Sequence, residues 1–201
     1  MRAFNILMIA SLNRGKQDEF RALLQKHNLN LGAPEEFVRN ALFLNHVEHH
    51  TENTTYFDNA KRKCEAAFYA AKVPTFADDS GLEIDALHGK PGIASALHNS
   101  KQILEKLKGA ANRKARFRCV IVFMLEGVLL RAEGLCEGSI ANEARGDSGF
   151  GFDDIFMPEA GNGRTFAEMR MEEKNTISHR KHAVDDLLRQ MQERDIQLVR
   201  P

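Results

Sequence analysis

A short apolar run near the start of the chain, Ile6–Ala10, passes directly into a polar turn and then into a helical pattern. A continuous apolar run of this length is typical of a buried strand. Phe20, Leu23 and Leu24 follow at helical spacing, so the turn at residues 11–15 is predicted to open a helix. The first turn of a helix presents free N–H groups and a positive dipole end to an anion. We therefore expect an α/β protein with an anion site after its first strand.

The middle of the chain predicts a second helix and a second strand, and it adds two carboxylates. Periodicity predicts a second helix over Asp58–Ala71, ended by Pro74. Thr75–Ala77 is then predicted to be a strand that carries Asp78 and Asp79 at its C-terminal end. Ligands of α/β sheets bind near such strand ends. Taken alone, however, an acidic pair is also typical of a capped junction between a strand and a turn.

The second half of the chain predicts a hairpin and a final helix. Two β-like runs, Phe117–Leu125 and Val128–Cys136, flank a Glu126-Gly127 turn. The last helix is predicted from about Ile177, and the tail is expected to add a strand at Ile196–Val199. Periodicity alone supports a mixed α/β fold and nothing more specific.

A glycine-rich segment begins at Gly146 and contains the rings of Phe150 and Phe152. Glycine lets the backbone approach a ligand closely, and an aromatic face allows a base to stack on it. The same stretch continues to His179 and Arg180, which supply hydrogen-bond donors for phosphates and base edges. The segment predicts a nucleotide pocket. Considered singly, Phe150 is more simply a core aromatic and His179 an ordinary histidine at a helix N-terminus.

Composition excludes several classes of protein. Lys+Arg and Asp+Glu both total 28 in 201 residues, so the chain has no electrostatic footprint for nucleic acid or a membrane surface. Cys64, Cys119 and Cys136 are widely spaced and predict buried thiols in a reducing compartment. No apolar segment suits a signal peptide or a membrane span, so a cytoplasmic protein of one domain or two closely joined lobes is expected.

Three motifs in order resemble those of the inosine-triphosphate pyrophosphatase family. Residues 11–19 follow its Thr/Ser-x-Asn-x-x-Lys-x-x-Glu turn, and residues 77–82 follow its Ala-Asp-Asp-Ser-Gly-Leu block. Residues 149–180 follow its Gly-Phe-Gly-Tyr-Asp, Glu-Lys-Asn and Ser-His-Arg blocks, with Phe152 at the tyrosine. The resemblance extends from about residue 6 to about residue 190.

The resemblance implies one nucleotide pyrophosphatase domain over residues 1–201. Its fold would be α/β, with an elongated mixed sheet, two lobes and a central nucleotide cleft. The implied reaction is Mg²⁺-dependent hydrolysis of nonstandard purine nucleoside triphosphates (ITP, dITP and XTP) to the monophosphate and pyrophosphate, by a homodimer. Two alternatives stay open: an enzyme of the same fold that acts on a modified or pyrimidine nucleotide, and a nucleotide-binding protein without turnover.

The resemblance also implies roles for individual residues. Asp79 would bind the metal and activate water beside Asp78, because Mg²⁺ is commonly held by one or two carboxylates and phosphate oxygens. Glu52 is the candidate second metal ligand, although the family's glutamate would fall near Thr51. Substrate binding is assigned to Ser11, Leu12, Asn13, Arg14, Gly15, Lys16, Lys63, Ser80, Phe150, Gly151, Phe152, Asp153, Lys174, His179 and Arg180. Taken alone, the Ser-x-Asn at the start of this set is usually a helix N-cap, and the two roles are compatible.

The chain departs from the family pattern at three places. Leu97 and His98 stand where bacterial relatives usually have arginine and an aromatic residue, and the loop that follows is shortened before Ile103. Asp154 stands where the family usually has proline, which adds a charge and releases a fixed φ. These departures are expected to affect specificity or assembly rather than the reaction.

Overall fold

The computed structural model describes residues 6–42, 44, 47 and 54–196, which fall into two compact units. Unit 1 comprises the described residues of Met1–Asp79, Val120–Gly134 and Ala183–Pro201, and unit 2 comprises Ser80–Cys119 and Leu135–His182. In this part of the chain, no helix is long and apolar enough to cross a membrane.

The described part of the chain contains a seven-stranded mixed sheet with helices, which confirms the predicted α/β class. The strands are β1 (Leu7–Ile9), β2 (Leu31–Gly32), β3 (Thr75–Ile84), β4 (Lys90–Pro91), β5 (Lys114–Leu125), β6 (Val128–Ile140) and β7 (Phe156–Pro158). The α-helices with both ends among the described residues are α1 (Arg14–Gln25), α2 (Tyr56–Ala71), α3 (Ser100–Lys106), α4 (Met171–Ile177) and α5 (His179–Glu193). The strand order is β2-β1-β3-β5-β6-β7, and β4 pairs with β3.

Unit 1 is built around the buried strand that the apolar run predicts. β1 pairs in parallel with β2 and with β3, and Met8 is aligned with Gly32 on one side and with Thr75 on the other. The small side chains of Ala60, Cys64 and Ala67 on α2 pack into the core of this unit. They form the inner stripe expected from the 3.6-residue period, so this prediction is confirmed.

Unit 2 has an aromatic core beside antiparallel strand pairs. β4 pairs with β3, and β7 pairs with β6. The rings of Phe117 and Phe156 lie edge to face with centroids 4.6 Å apart, and Phe156 lies 5.3 Å from Phe166. Such edge contacts between rings stabilise a core beyond the apolar area that they bury.

Two predicted element boundaries are wrong. β3 does not end at Ala77 but runs to Ile84, so Asp78 and Asp79 lie within the strand. The strand continues because Asp78 is paired inside the protein and apolar residues resume at Leu82. The last helix begins at His179, since the extended backbone of Ser178 separates α4 from α5.

The hairpin strands are confirmed and are longer than predicted, at Lys114–Leu125 and Val128–Ile140. Of the predicted strand Ile196–Val199, only Ile196 belongs to the described residues, and it lies outside any strand.

Candidate active site

The two adjacent carboxylates of β3 have different environments, because neighbouring residues of a strand point to opposite faces. The side chain of Asp78 is fully buried, and its Oδ2 accepts a hydrogen bond from Nζ of Lys16 at 2.8 Å. Asp79 is only partly buried. Asp78 is therefore held within the fold, while Asp79 is the carboxylate of the pair that remains accessible to a ligand.

The electrostatic environment of Asp79 favours a nearby cation. Burial raises the pKa of Asp79, and the positive charges of Lys63 and Lys16 only partly oppose this effect. Its Oδ2 accepts a hydrogen bond from Nδ2 of Asn59 at 2.9 Å, whereas Oδ1 has no hydrogen bond within the described residues. A desolvated carboxylate with one open oxygen is suited to coordinate a metal ion.

Helix α2 supplies two buried polar groups to this site. Asn59 and Lys63 are one turn apart and are each only 4% exposed. Nζ of Lys63 donates to the backbone oxygen of Asp78 at 2.5 Å. Sequence reasoning assigned no role to Asn59. The available signal was an asparagine four residues before a candidate lysine, next to the buried stripe of the helix.

The turn after β1 has the predicted form. Asn13 is the N-cap of α1, and its side chain accepts from the backbone N–H of Lys16 at 3.1 Å. The hydroxyl of Ser11 accepts from the backbone N–H of Asn13 at 3.3 Å. Leu12 packs against the core of unit 1, while Arg14 is exposed. The turn thus places Lys16 beside the acidic pair.

The second metal ligand predicted from the sequence, Glu52, lies outside the described residues. Asp58, five residues before Lys63, belongs to the capping box at the start of helix α2. Its carboxylate accepts from the hydroxyl of Thr55 at 2.7 Å and from the backbone N–H of Thr55 at 3.0 Å. The described residues contain no group of three or more His, Cys, Asp and Glu side chains that could hold a metal ion. A cation here would depend on Asp79 together with oxygens of its ligand.

The glycine-rich turn of unit 2 is fixed by a buried ion pair. Nζ of Lys174 lies 2.5 Å from Oδ2 of Asp153, and both side chains are 4% exposed. The same carboxylate oxygen accepts from the backbone N–H of Phe150 at 2.9 Å. Gly149 has φ +79°, and a Cβ there would collide with the Asp153 carboxylate, so glycine is required at this position.

Phe150 is the accessible ring of this turn. It is partly exposed, with Nζ of Lys174 5.2 Å and Cζ of Arg180 5.0 Å from its centroid. These distances are within the range of cation–π attraction, so the two cations hold the ring in place. Phe152 is only 4% exposed and its ring extends the apolar core of unit 2. Its role in substrate binding stays a prediction.

His179 is fully buried in unit 2, whereas Ser80 is only partly buried. His179 is 1% exposed, and its ring stacks on Phe117 with centroids 4.6 Å apart and planes at 13°. It therefore lies at the start of α5 against the aromatic core of unit 2. Ser80 is partly buried at the first position of unit 2, and Gly151 is exposed with φ +67°.

The site residues divide by unit. Those of unit 1 are two carboxylates with lysine, amide and hydroxyl groups around them, and those of unit 2 are an aromatic ring with cations against it. An accessible acid near cations is typical of sites that handle charged phosphates, and a ring held among hydrogen-bond donors is typical of base recognition. Together they define a nucleotide-handling α/β protein.

Comparison with known proteins gives the family. The sequence model of the Ham1 family matches residues 7–190, and the chain belongs to this family. The dITP/XTP pyrophosphatase of Treponema denticola is 37% identical over 198 residues, which cover 91% of this chain and 96% of the relative. That of Geobacillus kaustophilus is 37% identical over 200 residues, with 93% and 94% covered.

Solved structures agree. A HAM1 protein from Coxiella burnetii has a TM-score of 0.75 and 34% identity, and the match covers 94% of this chain and 98% of that one. The Ham1 protein of Staphylococcus aureus has a TM-score of 0.74 and 32% identity, with 94% and 99% covered.

Proposed function

We propose that this protein hydrolyses nonstandard purine nucleoside triphosphates, namely ITP, dITP and XTP, to the monophosphate and pyrophosphate. The observation that carries the proposal is the accessible carboxylate of Asp79, partly buried beside Lys63 and Lys16. The relatives that share 37% of their residues with this chain are dITP/XTP pyrophosphatases, which supports the same reaction here.

The groups around Asp79 suit Mg²⁺ as the cofactor. Asp79 would hold the ion through its open oxygen, and phosphate oxygens of the substrate would complete the coordination. When bound, Mg²⁺ neutralises phosphate charge and lowers the pKa of a coordinated water. Asp79 would also accept the proton of the attacking water. Glu52 as a second metal ligand stays a prediction.

The remaining residues of unit 1 would bind the phosphate chain. Lys16 and Lys63 supply ammonium donors, and the N-terminal end of α1 adds backbone N–H groups and the positive end of its dipole. Ser11 and Asn13 keep this turn in shape through the hydrogen bonds that they make within it.

Unit 2 would read the base. Phe150 supplies a stacking face, and Lys174, His179 and Arg180 supply donors. A 6-keto purine presents an acceptor where adenine presents a donor. Donors directed at that position favour hypoxanthine and xanthine, because adenine would leave them buried and unpaired.

A substrate panel with separate detection of monophosphate and pyrophosphate tests the proposal. ITP, dITP and XTP are expected to be turned over with a kcat/KM about 10²-fold or more above that of ATP, whose base lacks the 6-keto acceptor. Preference for UTP or dTTP would instead indicate an enzyme of the same fold with another substrate. Binding of ITP without turnover at saturating Mg²⁺ would indicate a nucleotide-binding protein.

Three further expectations belong to the same proposal. Residues 1–201 would act as one pyrophosphatase domain, two copies would form a homodimer, and the protein would work in the cytoplasm. The side chain of Leu97 is 62% exposed, so an apolar group is available for contact with a second copy. Sedimentation of the purified protein measures the oligomeric state directly.

A further inference from the structure

A chain of hydrogen bonds leads from the middle of α2 to the candidate metal ligand. Nη2 of Arg62 donates to Oδ1 of Asn59 at 2.6 Å and to the hydroxyl of Thr54 at 3.0 Å. That hydroxyl lies 3.3 Å from the same Oδ1, to which it donates. At the other end of the amide, Nδ2 of Asn59 donates to Oδ2 of Asp79 at 2.9 Å.

These contacts determine the orientation of the Asn59 amide. Its oxygen faces a guanidinium, which only donates, and its nitrogen faces a carboxylate, which only accepts when ionised. Rotating the amide by 180° would set N–H groups against Arg62 and an oxygen against the Asp79 carboxylate. Both new contacts would be repulsive, so the charge on Arg62 keeps the amide N–H directed at Asp79.

The orientation matters because the amide is buried. Asn59 is 4% exposed, so water does not replace a hydrogen bond that is lost there. Arg62 is partly exposed and makes no hydrogen bond or ion pair with Asp79 within the described residues. The hydrogen bonds of Arg62 therefore connect it to Asp79 through Asn59.

We infer that Arg62 is a positioning residue, which orients Asn59 so that its N–H fixes Oδ2 of Asp79 and leaves Oδ1 for a divalent cation. The inference rests on the proposed role of Asp79 as a metal ligand. It assigns functions to Asn59 and Arg62 beyond helix packing. Arg62 acts on the occupancy of the cation site and not on recognition of the nucleotide base.

The test compares Arg62→Met, Arg62→Lys and Asn59→Leu with the wild type. Lys61→Met is the matched control, because Lys61 is the preceding residue of the same helix and its ion pair within the described residues is with Glu65, at 3.7 Å. Mn²⁺ affinity is measured by calorimetry on the protein saturated with a non-hydrolysable ITP analogue, whose phosphate oxygens complete the site. The values of kcat and KM for ITP are measured across a Mg²⁺ titration. Thermal unfolding shows that each variant is folded.

Arg62→Met is expected to weaken Mn²⁺ binding about tenfold, which is the scale of one lost charge-assisted hydrogen bond. The Mg²⁺ concentration that gives half-maximal activity should rise by the same factor. KM for ITP at saturating Mg²⁺ should stay unchanged. Arg62→Lys should restore part of the loss, and Lys61→Met should match the wild type. In the Asn59→Leu background, Arg62→Met should not weaken Mn²⁺ binding further, because its effect depends on the Asn59 amide.

Wild-type Mn²⁺ affinity in Arg62→Met, or additive losses in the double variant, would overturn the inference, as would a wild type that binds no Mn²⁺. Failure of the proposed reaction gives a different result. In that case ITP is not hydrolysed by the wild type, yet Mn²⁺ binding still depends on Arg62 and Asn59.

Discussion

Within the described residues, each unit contains a buried lysine–aspartate pair, and the group beside the pair differs between the units. In unit 1, Lys16 and Asp78 are 2.8 Å apart, and the next residue is the accessible acid Asp79. In unit 2, Lys174 and Asp153 are 2.5 Å apart, and the accessible group beside them is the ring of Phe150. In both, a lysine from a helix neutralises a buried acid. The two neighbouring groups suit different ligands, since a carboxylate can bind a cation and an aromatic ring can stack on a base.

The two pairs also differ in burial. The lysine side chain is 15% exposed in the pair of unit 1 and 4% exposed in that of unit 2, while each aspartate is at most 4% exposed. Removing one partner from a buried pair leaves an uncompensated charge, and the cost rises with burial. The pair of unit 2 should therefore contribute more to stability, and the pair of unit 1 is the one to which a charged ligand has more access.

The largest expected effect is a difference in stability between variants of the two lysine–aspartate pairs. Lys174→Met should lower the free energy of unfolding by about 3–5 kcal/mol, because Asp153 is left buried without its cation. Lys16→Met should cost less, since water reaches that lysine. Urea unfolding of both variants measures the difference. Equal losses would show that burial does not distinguish the pairs.

The next effect concerns turnover. Asp79→Asn should retain nucleotide binding and lose turnover by about two or more orders of magnitude, the scale of positioned acid–base groups. Asp18→Asn is the control, because the ion pair of Asp18 within the described residues is the exposed one with Arg21 at 3.0 Å. Steady-state hydrolysis of ITP at saturating Mg²⁺ is the measurement. Near-normal turnover of Asp79→Asn would remove Asp79 from the mechanism.

A smaller effect is expected on base preference. Arg180→Met should reduce the preference for ITP over ATP about tenfold, because it removes a donor that discriminates between the bases. Lys181→Met, the next residue of α5, should keep wild-type selectivity. Both are compared by kcat/KM for the two substrates. If Arg180→Met keeps full selectivity, other residues read the base.

The smallest effect should be on stability alone. Thr55→Ala should lower the free energy of unfolding by about 1 kcal/mol through loss of the α2 cap, with kcat for ITP unchanged. Chemical unfolding and the ITP assay on the same preparation check both statements. A change in kcat as large as that of Asp79→Asn would place the cap within the catalytic machinery.

Sequence patterns predicted the structural features that are determined by residues close together in the chain. The N-cap at Asn13 and the buried stripe of α2 follow from spacing along the chain, and both are found. The length of β3 could not be predicted in this way. It depends on Lys16 neutralising Asp78, a contact between residues 62 positions apart. Sequence pattern alone cannot identify such a partner.

The site residues show the same contrast between features set by neighbouring residues and contacts between residues far apart in the sequence. The order of the motifs pointed to the carboxylates and the glycine turn. The burial of Phe152 and the contact of Asn59 with Asp79 depend on side-chain orientation, which the motifs do not give. Phe152 differs from Phe150 by two positions, yet one is in the core and the other is accessible. Asn59 contacts a residue 20 positions away, so its role emerges only once α2 is placed against β3.

The central proposal is that residues of unit 1 carry out the hydrolysis and that residues of unit 2 recognise the base. The most direct test measures kcat/KM for ITP and ATP in Lys63→Met and Arg180→Met. Lys63→Met should lower both values by the same factor and leave their ratio unchanged, because phosphates are common to both substrates. Arg180→Met should lower the value for ITP and spare that for ATP. A changed ratio in Lys63→Met, or an equal loss for both substrates in Arg180→Met, would contradict the account.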